Sequence, residues 1–364
     1  MKSWNRMLCI ALLIGGLLGI NVDSRSQTRK HGVLDDFNDL RGVNPLGIVD
    51  WGMGGVRTAM EGTSGSLIYA PAGMAWGTPP FLSGEFDVRT YFPRGKNILD
   101  AESQTLFMPR WVGMAFMSGR WRFGFGYAVP YGHRRVYDIL GSNNEYVLAE
   151  QRLAAPVAFK IAPQLAAGAT VGFSYISWKE NIDGSGTDNS ATGLGFASAV
   201  DLQWKPRPDL MFGAEAEPPI IISGDAKINA VTFHEQWKRP LGLRTGVQKR
   251  WDNIRTAADV YFRQYSALDN WEVDRGVMSH DQYGVAVGAE LPYSGALLRF
   301  GGQAETDPVD GNKTLTVMIT AGLGWSLGGF NINTAVVDSH ASTDRSVRGT
   351  RFLLGLNVLP SGSD

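Results

Sequence analysis

Beyond residue 9 the chain has no cysteine. The single cysteine of the 364 residues, Cys9, falls within an apolar run at residues 7–20. Disulfides, thiolate metal sites and thiol nucleophiles are therefore excluded from the rest of the chain. Long apolar runs are missing as well. After residue 20 no stretch approaches the roughly 20 apolar residues of a membrane-spanning helix. Charge of one sign is not in excess: 34 Lys and Arg face 35 Asp and Glu, a net charge of −1. That balance argues against a nucleic-acid partner and against an acidic solvating tail. Histidine is scarce. His31, His133, His234, His280 and His340 are scattered without metal-ligand spacing. No motif gathers Ser, His and Asp. The glycine-rich run Gly52, Met53, Gly54 and Gly55 lacks the lysine and the strand–helix context of a phosphate loop. The sequence thus predicts no catalytic residue, no metal and no cofactor.

What is present points elsewhere. Lys2 and Arg6 precede the apolar run, a secretory-signal pattern. Cleavage is expected within residues 21–27, and residues 1–24 are taken as the signal peptide. Glycine is abundant, at 45 residues, and aromatics make up 11%. After about residue 84, short stretches alternate apolar and polar residues with period two. In one, Trp121, Phe123, Phe125, Tyr127 and Val129 share a face opposite Arg122, Gly124 and Gly126. In another, Leu194, Phe196, Val200, Leu202 and Trp204 oppose Gly195, Ala197, Asp201 and Gln203.

The pattern predicts fourteen strands: 85–93, 105–117, 119–130, 152–162, 166–178, 192–204, 209–217, 241–250, 255–265, 282–291, 296–304, 314–325, 328–338 and 350–359. Connections alternate between tight turns and longer loops such as 131–151, 179–191, 218–240 and 305–313. Short turns on one side and long loops on the other are the pattern of an outer-membrane barrel. An all-β, antiparallel transmembrane barrel is therefore expected over residues 85–364, in the outer membrane of a Gram-negative-type bacterium. Residues 25–84 do not alternate. Irregular backbone at membrane depth must be shielded by protein, so this piece is expected to be a plug, or hatch, inside the lumen.

Residues 52–76 read GMGGVRTAMEGTSGSLIYAPAGMAW. This resembles the plug segment of FadL-type long-chain fatty acid transporters, with Ala70 where the family pattern has asparagine before Pro71, Ala72 and Gly73. The run from Phe123 to Gly132, the hairpin at 156–178, the strand at 210–219, the Asp259, Val260 and Tyr261 group, and Gly322 to Trp325 are similar to family motifs in the same order. The chain lacks the usual terminal aromatic. The resemblance implies passive uptake of hydrophobic small molecules, fatty acids first and hydrocarbons second, by a monomer. It also implies release by plug movement, with Gly54, Gly55, Pro71, Ala72 and Gly73 shaping the hatch, or through a lateral gap in the wall. Expected contacts are outer-membrane lipid, lipopolysaccharide and the barrel-assembly machinery. PorV-type secretion barrels share the plug pattern, so a protein-interaction barrel is the alternative.

A carboxylate head wants arginine, whose planar fork makes bidentate contacts. Arg122, Arg244, Arg263 and Arg351 fall on expected lumenal faces. They could instead pair with Asp201, Glu215, Glu217, Asp259 or Glu290. Met53, Met60, Leu67 and Met74 could line a pocket, or pack the plug against the wall.

Overall fold

The structure, a computed structural model, describes residues 29–32, 47–77, 82–90, 105–139, 142–182, 187–228, 231–268, 280–307, 311–342 and 349–359. The expected signal peptide lies outside the described residues. So do residues 25–46 apart from a short strand, Arg29–Gly32.

Fourteen antiparallel strands close into one barrel. They are β1 (Leu82–Thr90), β2 (Thr105–Ser118), β3 (Trp121–Ile139), β4 (Ser142–Ala162), β5 (Leu165–Ile182) and β6 (Thr187–Arg207). Next come β7, in two pieces (Leu210–Glu217 and Ile220–Ile228), and β8, also in two (Val231–Arg239 and Gly242–Trp251). The circuit finishes with β9 (Ile254–Arg263), β10 (Gln282–Tyr293), β11 (Ala296–Asp307), β12 (Gly311–Leu327), β13 (Phe330–Asp338) and β14 (Thr350–Val358). β14 pairs with β1, Val358 opposite Leu82, which closes the circuit of strands.

The two interruptions share one cause. Glu217 faces Gly242, and Ile220 faces Arg239, in the same register. Continuing that register sets Pro219 opposite Pro240. Proline has no N–H to give a ladder, so the rungs lapse there and resume beyond.

Alternation places apolar side chains outward. Phe125, Phe173, Leu194, Val260, Ile319 and Phe352 are each at least half exposed. In water such a belt would be costly; in lipid it is the required surface. Trp121, Trp204, Trp251, Tyr293 and Trp325 sit beside the tight turns and are exposed. Trp121 packs on Phe159 and Trp204 on Phe212, with ring centroids 4.5 and 5.6 Å apart. They form the aromatic girdle at the end that carries the short turns. Barrel closure and belt together mark an outer-membrane protein.

Four connections differ from expectation. Most of 131–151, 179–191, 218–240 and 305–313 is strand, in hairpins such as β3–β4, which pairs out to Ile139 opposite Ser142. Above the lipid neither face of a hairpin needs to be apolar, so the period-two signal fades while the hydrogen-bond ladder continues.

Inside the barrel lie residues 47–77. Helix α1 (Ile48–Gly52) packs on β11 to β14, and a 3-10 turn at Pro71–Ala75 packs on β3 to β6. This segment crosses the bore. Its irregular backbone is satisfied by wall side chains. The Ile48 N–H donates to Glu85 on β1 (3.1 Å), and Gly54 to the Thr320 hydroxyl on β12 (2.9 Å). Asp259 on β9 accepts from Arg57 (2.8 Å) and Thr58 (3.1 Å), and Asp201 on β6 accepts from Ala72 (3.0 Å). Polar residues spread around the wall thus replace the water that a loop would normally use. Gly54 has φ +76°, and a Cβ there would lie 2.2 Å from the Val287 carbonyl oxygen, so only glycine lets the segment meet β10 and β11.

Candidate functional site

Among the described residues one ladder stops and does not resume while both of its strands run on. The β2–β3 ladder runs from Ser118 opposite Trp121 up to Trp111 opposite Ala128 and stops. Both strands continue. Residues 105–110 of β2 pair only with β1, and residues 131–139 of β3 only with β4. Among the described residues no rung joins them above Trp111.

The sequence explains the stop. Two residues beyond the last rung, the register would set Pro109 opposite Pro130. Proline is tolerated in sheets on edges or at bulges, and here both conditions hold. β2 bulges at Arg110, between Glu85–Trp111 and Phe86–Pro109. β3 bulges at Val129 and Pro130, between Ala128–Arg152 and Tyr131–Glu150. Bulges bend and twist a strand, so each strand leaves with its other neighbour. The Arg110 guanidinium turns inward to Asp87, at 3.2 Å.

Trp111 stands at the foot of this split. It is 1% exposed and packs with Leu67, Ile68, Tyr69 and Met74 of the lumenal segment. Its ring lies flat on two glycines. A Cβ at Gly126 would sit 1.9 Å from Trp111 Cη2, and one at Gly113 2.0 Å from Cζ2.

Behind the apolar cluster is a charged one. The Arg57 guanidinium donates to Glu215 and, at 2.6 Å, to Glu217. It also lies over the Tyr69 ring, 3.9 Å from the centroid. Arg263 reaches Glu217 at 3.6 Å. Arg152 and Arg239 share Glu150, at 2.9 and 3.1 Å. Arg244 donates to the Gly55 carbonyl (2.9 Å) and lies 3.4 Å from Asp259. The side chains in this group are nearly all buried, and buried charges persist when paired.

The four arginines singled out from sequence are not brought together. Arg244 and Arg263 are neighbours on β8 and β9 and join the ion-pair network. Arg122 donates to the carbonyls of Gly119 (2.8 Å) and Trp121 (3.0 Å) at the tight-turn end. Arg351 is on β14 opposite Arg89. Of their expected acidic partners, Asp259 and Glu217 serve Arg244 and Arg263, while Glu215 serves Arg57. Glu290 pairs with Arg255 (2.9 Å) and Arg299 (2.7 Å), and Asp201 holds Ala72. Met53 and Met60 pack with Val49, Val56, Ala257 and Ala286, and Leu67 and Met74 join the Trp111 cluster. All four are fully buried. Gly73 is as crowded as Gly54: a Cβ on it would lie 2.5 Å from the Met60 carbonyl oxygen.

Sequence reasoning missed Arg57, Trp111 and the facing prolines. The prolines were within reach. The β2–β3 turn at Gly119 and Arg120 fixes which residues face one another, and counting outward from it pairs Pro109 with Pro130.

No model of a known family matches the sequence, and no curated protein is similar to it. Solved structures are similar in fold. The toluene transporter TbuX of Ralstonia pickettii aligns with TM-score 0.65 and 15% identity, over 88% of this chain and 100% of that one. The toluene transporter TodX of P. putida gives 0.63 and 14%, over 87% and 97%. A FadL homologue from Pseudomonas aeruginosa gives 0.61 and 12%, over 86% and 98%.

Proposed function

We propose that this barrel is a passive outer-membrane channel for hydrophobic small molecules, which leave the bore sideways through the split between β2 and β3. The observation that carries this reading is the split itself: an otherwise closed wall parts at two facing prolines, beside an apolar cluster. The lumenal segment acts as a hatch that blocks a straight aqueous path, so a lipid-soluble molecule gains by stepping from the bore into the bilayer. The likeness in fold to toluene transporters supports the same reading. The barrel works as a monomer, folded by the barrel-assembly machinery.

The substrate class supported best is uncharged. The lumenal arginines are already paired, and a fatty acid head would have to displace Glu217 or Glu215. Long-chain fatty acids are the second reading. It is favoured by Arg57 Nη1 and Arg263 Nε, buried guanidinium nitrogens with no hydrogen-bond partner among the described residues.

Purified protein in liposomes decides between them. Saturable uptake of toluene, weakly inhibited by oleate, is the expected result. Oleate binding that excludes toluene would install the second reading. Failure to bind either, with a protein partner that co-purifies, would replace both with the interaction barrel.

A further inference from the structure

We infer that Trp111 is the selectivity gate of the split, setting the largest hydrophobic molecule that can pass between bore and bilayer. The inference rests on the proposed lateral route and adds the residue that limits it. Trp111 occupies the last rung of the β2–β3 ladder, opposite Ala128, with its side chain on the lumenal face. Its ring lies over Gly113 and Gly126, on the turn side of that rung, so it forms the floor that a molecule leaving the bore by the split passes over. Gly113 and Gly126 form a seat beneath the ring, and it shares one buried apolar cluster with Leu67 and Tyr69 of the lumenal segment.

Nothing polar holds it there. The indole Nε1–H is buried without a hydrogen-bond partner among the described residues. A structural tryptophan usually finds a partner for that group when buried. Held by apolar contact alone, this ring loses no hydrogen bond when a guest displaces it. The two glycines serve the same end, because any side chain at either position would occupy the ring's place. The gate therefore selects by cross-section and not by polar recognition.

The test compares wild type, Trp111→Phe and Trp111→Ala in liposomes, with toluene and the bulkier pyrene as uptake probes and a hydrophilic dye as leak control. Heat-modifiable migration on gels checks that each barrel is folded. Trp111→Ala is expected to raise pyrene uptake relative to toluene by about tenfold, the low end of what a small change in apolar pocket volume discriminates. Trp111→Phe should fall between and decides the matter if the alanine variant does not fold. The dye should stay excluded. An unchanged pyrene-to-toluene ratio with active wild type would overturn the gate and leave the route standing. A raised ratio accompanied by dye entry would also overturn it, because the tryptophan would then be packing the lumenal segment. Wild type that takes up neither probe would remove the transport reading itself.

Discussion

Replacing Arg57 with methionine is expected to make the barrel leak water-soluble solutes while its wall stays intact. Among the described residues Arg57 is the cation that pairs with both Glu215 and Glu217, while Arg263 reaches Glu217 and not Glu215. Its removal leaves two buried carboxylates, two residues apart on one strand face. Breaking a buried ion pair by deleting one partner costs about 3–5 kcal/mol. The wall has ladders on every strand to absorb that cost, whereas the lumenal segment is held by side-chain hydrogen bonds and apolar packing with no ladder of its own. The segment is therefore what should loosen. Single-channel recordings should show open events absent from wild type, and cells should become sensitive to hydrophilic antibiotics. Gel migration should still report a folded barrel. Adding Glu215→Gln and Glu217→Gln to Arg57→Met removes the stranded charge and should restore the seal in part. Arg57→Lys keeps the charge but loses the fork that reaches both glutamates, so it should leak to an intermediate degree. A silent, stable Arg57→Met barrel would show that the network does not hold the segment.

The second large effect concerns the split. Pro109→Val with Pro130→Val restores two N–H donors and puts β-branched side chains where the strands part. Each new ladder hydrogen bond is worth about 1 kcal/mol, so the β2–β3 ladder should zip up to residues 109 and 130. Hydrophobic uptake should drop to the level of empty liposomes, while thermal stability stays equal or rises. A stabilised barrel that still takes up toluene at the wild-type rate would place the exit elsewhere. A single substitution should act weakly, because the proline that remains keeps its side of the ladder open.

The strand rhythm was legible because lipid imposes it. Every outward residue from Phe123 to Leu356 answers to hydrocarbon, so period two survives in strands as far apart as β3 and β14. It fails above the membrane, where residues 131–151 pair as a hairpin without an apolar face to announce it. The acidic residues Glu215, Glu217 and Asp259 were visible as partners for arginine, since polar positions on a lipid-facing strand must point inward. Arg57 was not, because residues 47–77 have no period from which to read a direction. Their places are set by contacts to Glu85, Asp201, Asp259 and Thr320, up to 268 residues away along the chain. Period two alone does not separate Trp111 from Phe107 of the same strand. Only its pairing with Ala128 and its glycine seat set it apart.

The most direct measurement uses the lack of cysteine after Cys9. Met108→Cys with Tyr131→Cys introduces one cysteine on each lip of the split and leaves Pro109 and Pro130 in place. In liposomes, toluene uptake is measured before and after closing the pair with a short reducible cross-linker, and again after reduction. The lateral route predicts uptake that stops on cross-linking and returns on reduction. Uptake that continues unchanged through a quantitatively cross-linked barrel would contradict it.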